Sequence, residues 1–130
     1  MTLLDTDVCV ELLRGNKNVL KRIEKCNDDI GISFITVGEL FYGVYKSKYI
    51  ENNLLLLEEF ILSVTIIESN YQIMKEFGII KSKLYKQKTI ITDADIIIAA
   101  TCIVTCEKLI TGNIRHYNRI DGLIIEDWIH

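Results

Sequence analysis

ITDADIIIAATCIVTCEKLIT, residues 91–111, decides how the rest of the chain is read. Residues 94–106 are apolar on nearly every side of a helix, which predicts a central, buried helix rather than a surface one. Two carboxylates, Asp93 and Asp95, stand at the start of that oily run, and KLIT (108–111) follows it as a short strand. A buried helix leading into a short apolar strand is the repeating unit of a parallel sheet covered on both faces.

The same alternation extends outward. TLLD (2–5) predicts a strand, then a helix capped by Thr6 or Asp7 that stops near Gly15. Residues 17–26 read as a second helix. DIGISFI (29–35) holds a strand centred on residues 30–33, followed by a helix from about Thr36 to Ser47. ENNLLLLEEFILS (51–63) is too long for a strand and reads as helix. VTII (64–67) is a strand, and Ser69 opens a long helix whose apolar stripe is Ile73, Phe77, Ile80 and Leu84. GLIIE (122–126) is the last strand, with Trp128 after it. Strands alternating with helices predict an α/β fold built on a parallel sheet.

A chain of 130 residues makes one domain, 1–130. Its 49% hydrophobic and 25% charged residues exclude a disordered chain. No apolar run reaches the roughly 18 residues that span a bilayer, so no membrane partner is expected. The opening MTLLDTD has no basic n-region, so we expect no secretory signal and a cytoplasmic protein. Cys9, Cys26, Cys102 and Cys106 form no C-x-x-C pair and read as small buried thiols. Cys102 and Cys106 share a helix face, and a zinc site completed by His116 is the competing use for them.

The net charge of −3 argues only weakly against nucleic acid, because the distribution of charge counts for more than its total. KSKLYKQK (81–88) carries Lys81, Lys83, Lys86 and Lys88 with no acid among them, and Arg115, His116 and Arg119 form a second cluster. Solvated helix faces are the plainer account of these cations, and contact with a phosphate backbone is the functional one.

Ligands of open α/β sheets bind beyond the carboxyl ends of the strands. Asp5 ends the first strand. Thr111 ends a later one, with Gly112 and Asn113 following. Glu39 lies among Ile35, Val37, Leu40, Phe41 and Val44, where a carboxylate is costly unless paired or metal-bound. Residues two apart on a helix point about 200° apart, so one of Asp93 and Asp95 caps and the other is free for chemistry. Asp93 reads as the cap, with Thr92 as the alternative, and Asp95 as the free acid. The bland account is that these acids form turns or complement a helix dipole. Should Asp5, Glu39 and Asp95 converge, an all-oxygen site calls for Mg²⁺ or Mn²⁺, the chemistry of phosphodiester hydrolysis.

LLDTDV, ISFITVGELFYG, DADIIIAA and LITGNIRHYNRIDGLIIEDW occur in that order between residues 2 and 128. Together they resemble PIN-domain ribonucleases, nearest to the VapC-type toxins of toxin–antitoxin pairs. The resemblance implies a three-layer α/β/α sandwich around a mainly parallel five-stranded sheet. It makes Asp5, Glu39 and Asp95 (in D-x-x-[IL]-A-A) the catalytic metal-binding acids and Asn113 a weaker fourth ligand. Thr6 and Thr111 match supporting hydroxyls, and Asp93 becomes a peripheral helper. The activity implied is Mg²⁺- or Mn²⁺-dependent endonucleolytic cleavage of RNA, often tRNA or rRNA. The implied partners are a second copy in a homodimer and a small antitoxin whose tail fills the active-site groove. Lys81, Lys83, Lys86, Lys88 and Arg115 would then bind the RNA. Three positions depart from the common pattern: Asp7 where Asn or Ser is frequent, a neutral Asn113, and His116 in place of an acid.

LFYGVYKSKY (40–49) and LLLLEEFIL (54–62) hold more apolar residues than one stripe can bury, so we expect them to supply the subunit or antitoxin contact. Two alternatives stand beside the nuclease. A non-catalytic PIN-like module would bind RNA or a partner without cleavage. A receiver domain would need an aspartate at the end of its third strand, where VTIIES offers Glu68 and Ser69.

Overall fold

Leu3 and Leu4 enter two different cores on opposite faces of one sheet, as the period-two alternation of a strand requires. The structure, a computed structural model, describes residues 1–130. Its strands are β1 (Thr2–Leu4), β2 (Ile30–Ser33), β3 (Thr65–Ile67), β4 (Lys108–Ile110) and β5 (Ile125–Glu126). They form one five-stranded sheet, parallel throughout, in the order β3-β2-β1-β4-β5.

Seven helices cover it: α1 (Thr6–Leu13), α2 (Lys17–Lys25), α3 (Phe34–Tyr45), α4 (Ile50–Leu62), α5 (Tyr71–Lys86), α6 (Asp93–Thr105) and α7 (Ile114–Tyr117). Leu4, Ile32 and Ile110 pack with Val8, Val19, Leu40, Leu57 and Trp128 on the α1–α4 face. Leu3 and Leu109 pack with Ile73, Ile80, Ile98, Ala99 and Tyr117 on the other face. The result is the expected α/β/α sandwich. α6 buries Ile96, Ile98, Ala99, Ala100, Thr101 and Cys102, which confirms it as the central helix.

Strand order reverses between β1 and β4. Right-handed crossovers put the β1–β2–β3 connections on one face and the later ones on the other, so the carboxyl ends of β1 and β4 part company and leave a crevice. The order also excludes the receiver domain, whose strands run 2-1-3-4-5.

Local boundaries differ from expectation where a particular side chain wins the cap. Asp5, rather than Thr6 or Asp7, caps α1, which ends at Gly15 in the left-handed conformation (φ 83°). Ser33 accepts from the Ile35 N–H (3.3 Å) and starts α3 two residues early. Asn70, not Ser69, caps α5 by accepting from Ile73 N–H at 2.9 Å. β5 shrinks to two residues because Gly122 turns the chain with φ 79°. No helix is long and apolar enough to cross a membrane.

Candidate active site

Asp5 ends β1 in the crevice, with only 3% of its surface exposed. The hydroxyl of Thr111, at the end of β4, donates to its Oδ2 (2.7 Å). Its Oδ1 accepts the Thr6 N–H (2.8 Å) and the Tyr117 hydroxyl (3.2 Å). An ionised carboxylate has about four lone-pair sites, so these three donors leave room for a further partner. Burial, followed by the negative charge of Asp7, pushes the Asp5 carboxyl up to about 7, against the Thr111 and Thr6 hydrogen bonds that lower it. Asp95 adds to the rise, which places it within electrostatic reach.

Glu39 projects half-buried from α3 and is tied to the same corner. Thr6 Oγ1 donates to Glu39 Oε1 at 2.7 Å and lies 3.0 Å from the buried Thr36 hydroxyl. A single residue, Thr6, therefore touches Asp5 through its backbone and Glu39 through its side chain.

Asp95 comes in from α6. Thr92 caps that helix, its hydroxyl accepting the Asp95 N–H at 3.3 Å, so the expectation that Asp93 caps is corrected. Asp93 instead turns outward to Lys81 (2.8 Å), while Asp95 faces His116 Nδ1 (3.1 Å). The divergence of the two aspartates is the one that helix geometry requires. Tyr117 registers the convergence: burial, then the charges of Asp5 and Asp95, drive its phenol pKa far above the ordinary value.

The remaining expected residues are placed as follows. Asn113 offers its backbone N–H to Thr111 Oγ1 (3.0 Å), and its side chain is exposed and unbonded. The side chain hydrogen-bonded to Asp95 is that of His116. Lys81 reaches the start of α6, Lys83 lies beside Arg119 and Asp121, and Lys86, Lys88 and Arg115 are exposed. The lysine block is split around α5 and does not form one face. The zinc reading fails: His116 stands at the first turn of α6, whereas Cys102 and Cys106 lie at its far end, about 10 Å or more along the axis at 1.5 Å per residue.

Tyr117 escapes a reading of spacing, and Asp7 shows there only as a cap candidate and a departure from the family pattern. Tyr117 sits on a four-residue helix too short to show periodicity, and its only signal is the inward run Ile114, Tyr117, Ile120. Asp7 accepts the Gly112 N–H through Oδ2 (3.0 Å), leaving Oδ1 buried without a partner. Burial raises the Asp7 carboxyl, opposed first by the Gly112 N–H.

No three carboxylate, imidazole or thiol groups converge into a ready-made metal shell. The donors facing the crevice are oxygens, the Asp5 carboxyl is repelled by its acidic neighbours, and Asp7 Oδ1 is an orphaned acceptor. A hard cation that keeps several of its waters and takes one or two carboxylates suits so open an arrangement. The carboxylates fit a hard divalent cation.

A groove of about 510 Å³ opens from Thr6 and Glu39 between α1, α3 and α4, lined by Val10, Leu13, Leu40 and Leu56. Tyr42 also lines it, and Tyr45 of α3, Tyr49 before α4, and Leu55 and Leu62 of α4 are exposed.

The PIN-domain family pattern matches residues 2–123. The chain belongs to the PIN-domain family. Within it, Ribonuclease VapC2 of Haemophilus influenzae is 33% identical over 128 residues, covering 98% of this chain and 97% of its own. The tRNA(fMet)-specific endonuclease VapC of Salmonella typhimurium is 31% identical over 127 residues, covering 97% and 96%. In solved structures, VapBC2 from Rickettsia felis, bound to a DNA fragment from its promoter, matches with a TM-score of 0.93 and 32% identity over 98% of each chain. The PIN-domain membership accounts for the sandwich and for a crevice at the ends of β1 and β4.

Proposed function

We propose that this PIN-domain protein is a divalent-metal-dependent RNA endonuclease, the toxin of a type II toxin–antitoxin pair, cleaving structured RNA in the cytoplasm. The observation that carries the reading is Asp5: a buried carboxyl at the switch point, held by three donors, with Glu39 bound to its neighbour Thr6 and Asp95 within electrostatic reach.

Asp5, Glu39 and Asp95 hold Mg²⁺ or Mn²⁺, with Asn113 as a weaker ligand. Such an ion, when bound, supplies an acidified water and neutralises charge building on the phosphodiester. Thr6, Thr111 and Tyr117 fix the carboxylates in the orientation they need. Lys81, Lys83, Lys86, Lys88 and Arg115 attract the RNA backbone. The name of the Salmonella relative favours tRNA as the substrate class, with rRNA the other candidate. The groove beside Glu39 gives a small antitoxin an apolar seat at the mouth of the site, and the exposed residues of α3 and α4 supply that contact or a homodimer contact.

The test is in cells. Induced expression of the chain is expected to arrest growth and cut cellular RNA, and Asp95→Asn at equal abundance is expected to do neither. Growth arrest that persists undiminished in Asp95→Asn contradicts the assignment. Retained RNA binding with no cleavage in Mg²⁺ or Mn²⁺ would mark a non-catalytic PIN module instead.

A further inference from the structure

Helix α5 overhangs the start of α6, and Tyr85 stands on the overhang. Lys81 meets Asp93, the first residue of α6, at 2.8 Å. Tyr85 lies one turn further on the same face, about 6 Å along the axis. Phe77, one turn earlier, packs toward the core with the Lys81 ammonium 5.7 Å from its ring centre. Tyr85 has outrun the helix that would cover it and is 83% exposed.

The segment around it is held in place. Leu84 is buried, the Thr89 N–H donates back to the Leu84 carbonyl (2.9 Å), and Lys88 turns the chain with φ 57°. Arg119 Nη1 donates to Thr89 Oγ1 (3.2 Å), tying the turn to the segment after α7. Lys86, Lys88 and Arg119 make no ion pair.

Other exposed aromatics differ. Tyr42 and Tyr49 have Lys46 and Lys48 over their rings at 4.8 and 5.5 Å, and Tyr45 stacks on Phe41. Tyr71 is at the opposite end of α5, roughly 20 Å away at 1.5 Å per residue. Tyr85 alone combines an uncovered ring with two neighbouring unpaired lysines, Lys86 and Lys88, and a position beside the helix that carries Asp95.

We propose that Tyr85 is a stacking platform for an unpaired nucleobase of the RNA substrate, with Lys86 and Lys88 holding the flanking phosphates. An exposed aromatic interleaved with cations is the arrangement that binds single-stranded nucleic acid, because every base has a π-face and every nucleotide a charge. The inference rests on the ribonuclease reading and adds to it where the strand is gripped outside the acids.

The test measures binding of the full chain, in a Glu39→Gln background with Mn²⁺, to fluorescent oligouridylate and to a ribose-phosphate oligomer of equal length lacking bases. Tyr85→Ala is expected to weaken oligouridylate binding about tenfold, to leave the abasic oligomer's affinity unchanged, and to keep the unfolding midpoint. Tyr85→Trp is expected to restore the affinity. Undiminished oligouridylate binding by Tyr85→Ala, or an equal loss on both oligomers, overturns the platform alone. Failure of the Glu39→Gln protein to bind either oligomer also overturns the platform, whereas the ribonuclease reading fails separately, if the unsubstituted chain with Mn²⁺ cleaves no RNA.

Discussion

The Tyr117 hydroxyl donates to Asp5 Oδ1 across 3.2 Å, joining a helix of four residues to the end of the first strand. Tyr117→Phe keeps the buried ring and removes one of three donors to a buried carboxyl. The loss is expected to destabilise the chain by about 1–2 kcal/mol and to make Asp5 still harder to ionise. Urea unfolding reads the first effect. A weaker Mn²⁺-dependent rise in the unfolding midpoint reads the second, and an unchanged metal response would show that Tyr117 only packs.

Asp5 gives the metal-free protein a pH dependence of defined sign. Its carboxyl is held at about 7 in the folded chain, against an ordinary 3.8. Between those values the unfolded chain releases the proton and the folded chain keeps it, so stability present below 3.8 is lost as pH rises through 7. The loss is on the order of 4 kcal/mol, and Asp7, also raised by burial, acts in the same direction. The urea midpoint without metal is expected to fall from pH 5 to pH 8, and Mn²⁺ to restore it. Asp5→Asn is expected to be more stable than the parent at pH 8, since its amide can still accept from Thr6 and Tyr117 and donate to Thr111. A metal-free midpoint that rises over that range would refute the argument.

Gly112→Ala tests the loop that carries Thr111. An added Cβ would meet Ile129 Cδ1 at 2.8 Å and Asp7 Oδ2 at 3.0 Å. Ile129 can swing aside, but Asp7 is bonded to the Gly112 N–H itself. We expect a stability loss of about 1–3 kcal/mol in thermal unfolding, together with reduced RNA cleavage as Thr111 shifts from Asp5.

How much of this is legible in spacing follows from what spacing encodes. Short apolar runs locate β1, β2, β3 and β4, and with them Asp5 and Thr111 as polar residues at strand ends. A helix repeat separates Asp95 from Asp93. It does not say whose oxygen reaches a backbone N–H, so Asp93 reads as the cap, ahead of Thr92, until the Thr92 hydroxyl is seen on Asp95. Likewise KSKLYKQK reads as one basic block, while helix α5 sends Lys81 to Asp93 and Lys83, about 200° around, to the side of Arg119 and Asp121. Tyr117 stays hidden because its bond to Asp5 spans the chain and its helix is too short to leave a pattern.

Lys81 and Asp93 are both more than half exposed, and their ion pair is expected to contribute little to folding. A double-mutant cycle of Lys81→Ala and Asp93→Ala should give a coupling below about 1 kcal/mol. Lys81→Ala should nonetheless weaken RNA binding and reduce its salt dependence by about one phosphate contact. An unaltered salt slope would remove Lys81 from the RNA surface.

The most direct measurement compares RNA cleavage by the purified chain, Asp5→Asn and Asp95→Asn, each with Mn²⁺ and with excess chelator. The account predicts cleavage by the parent only when metal is present, and none by either variant although both remain folded. Cleavage by both repurified variants at the parent's rate, or parental cleavage unaffected by the chelator, would contradict it.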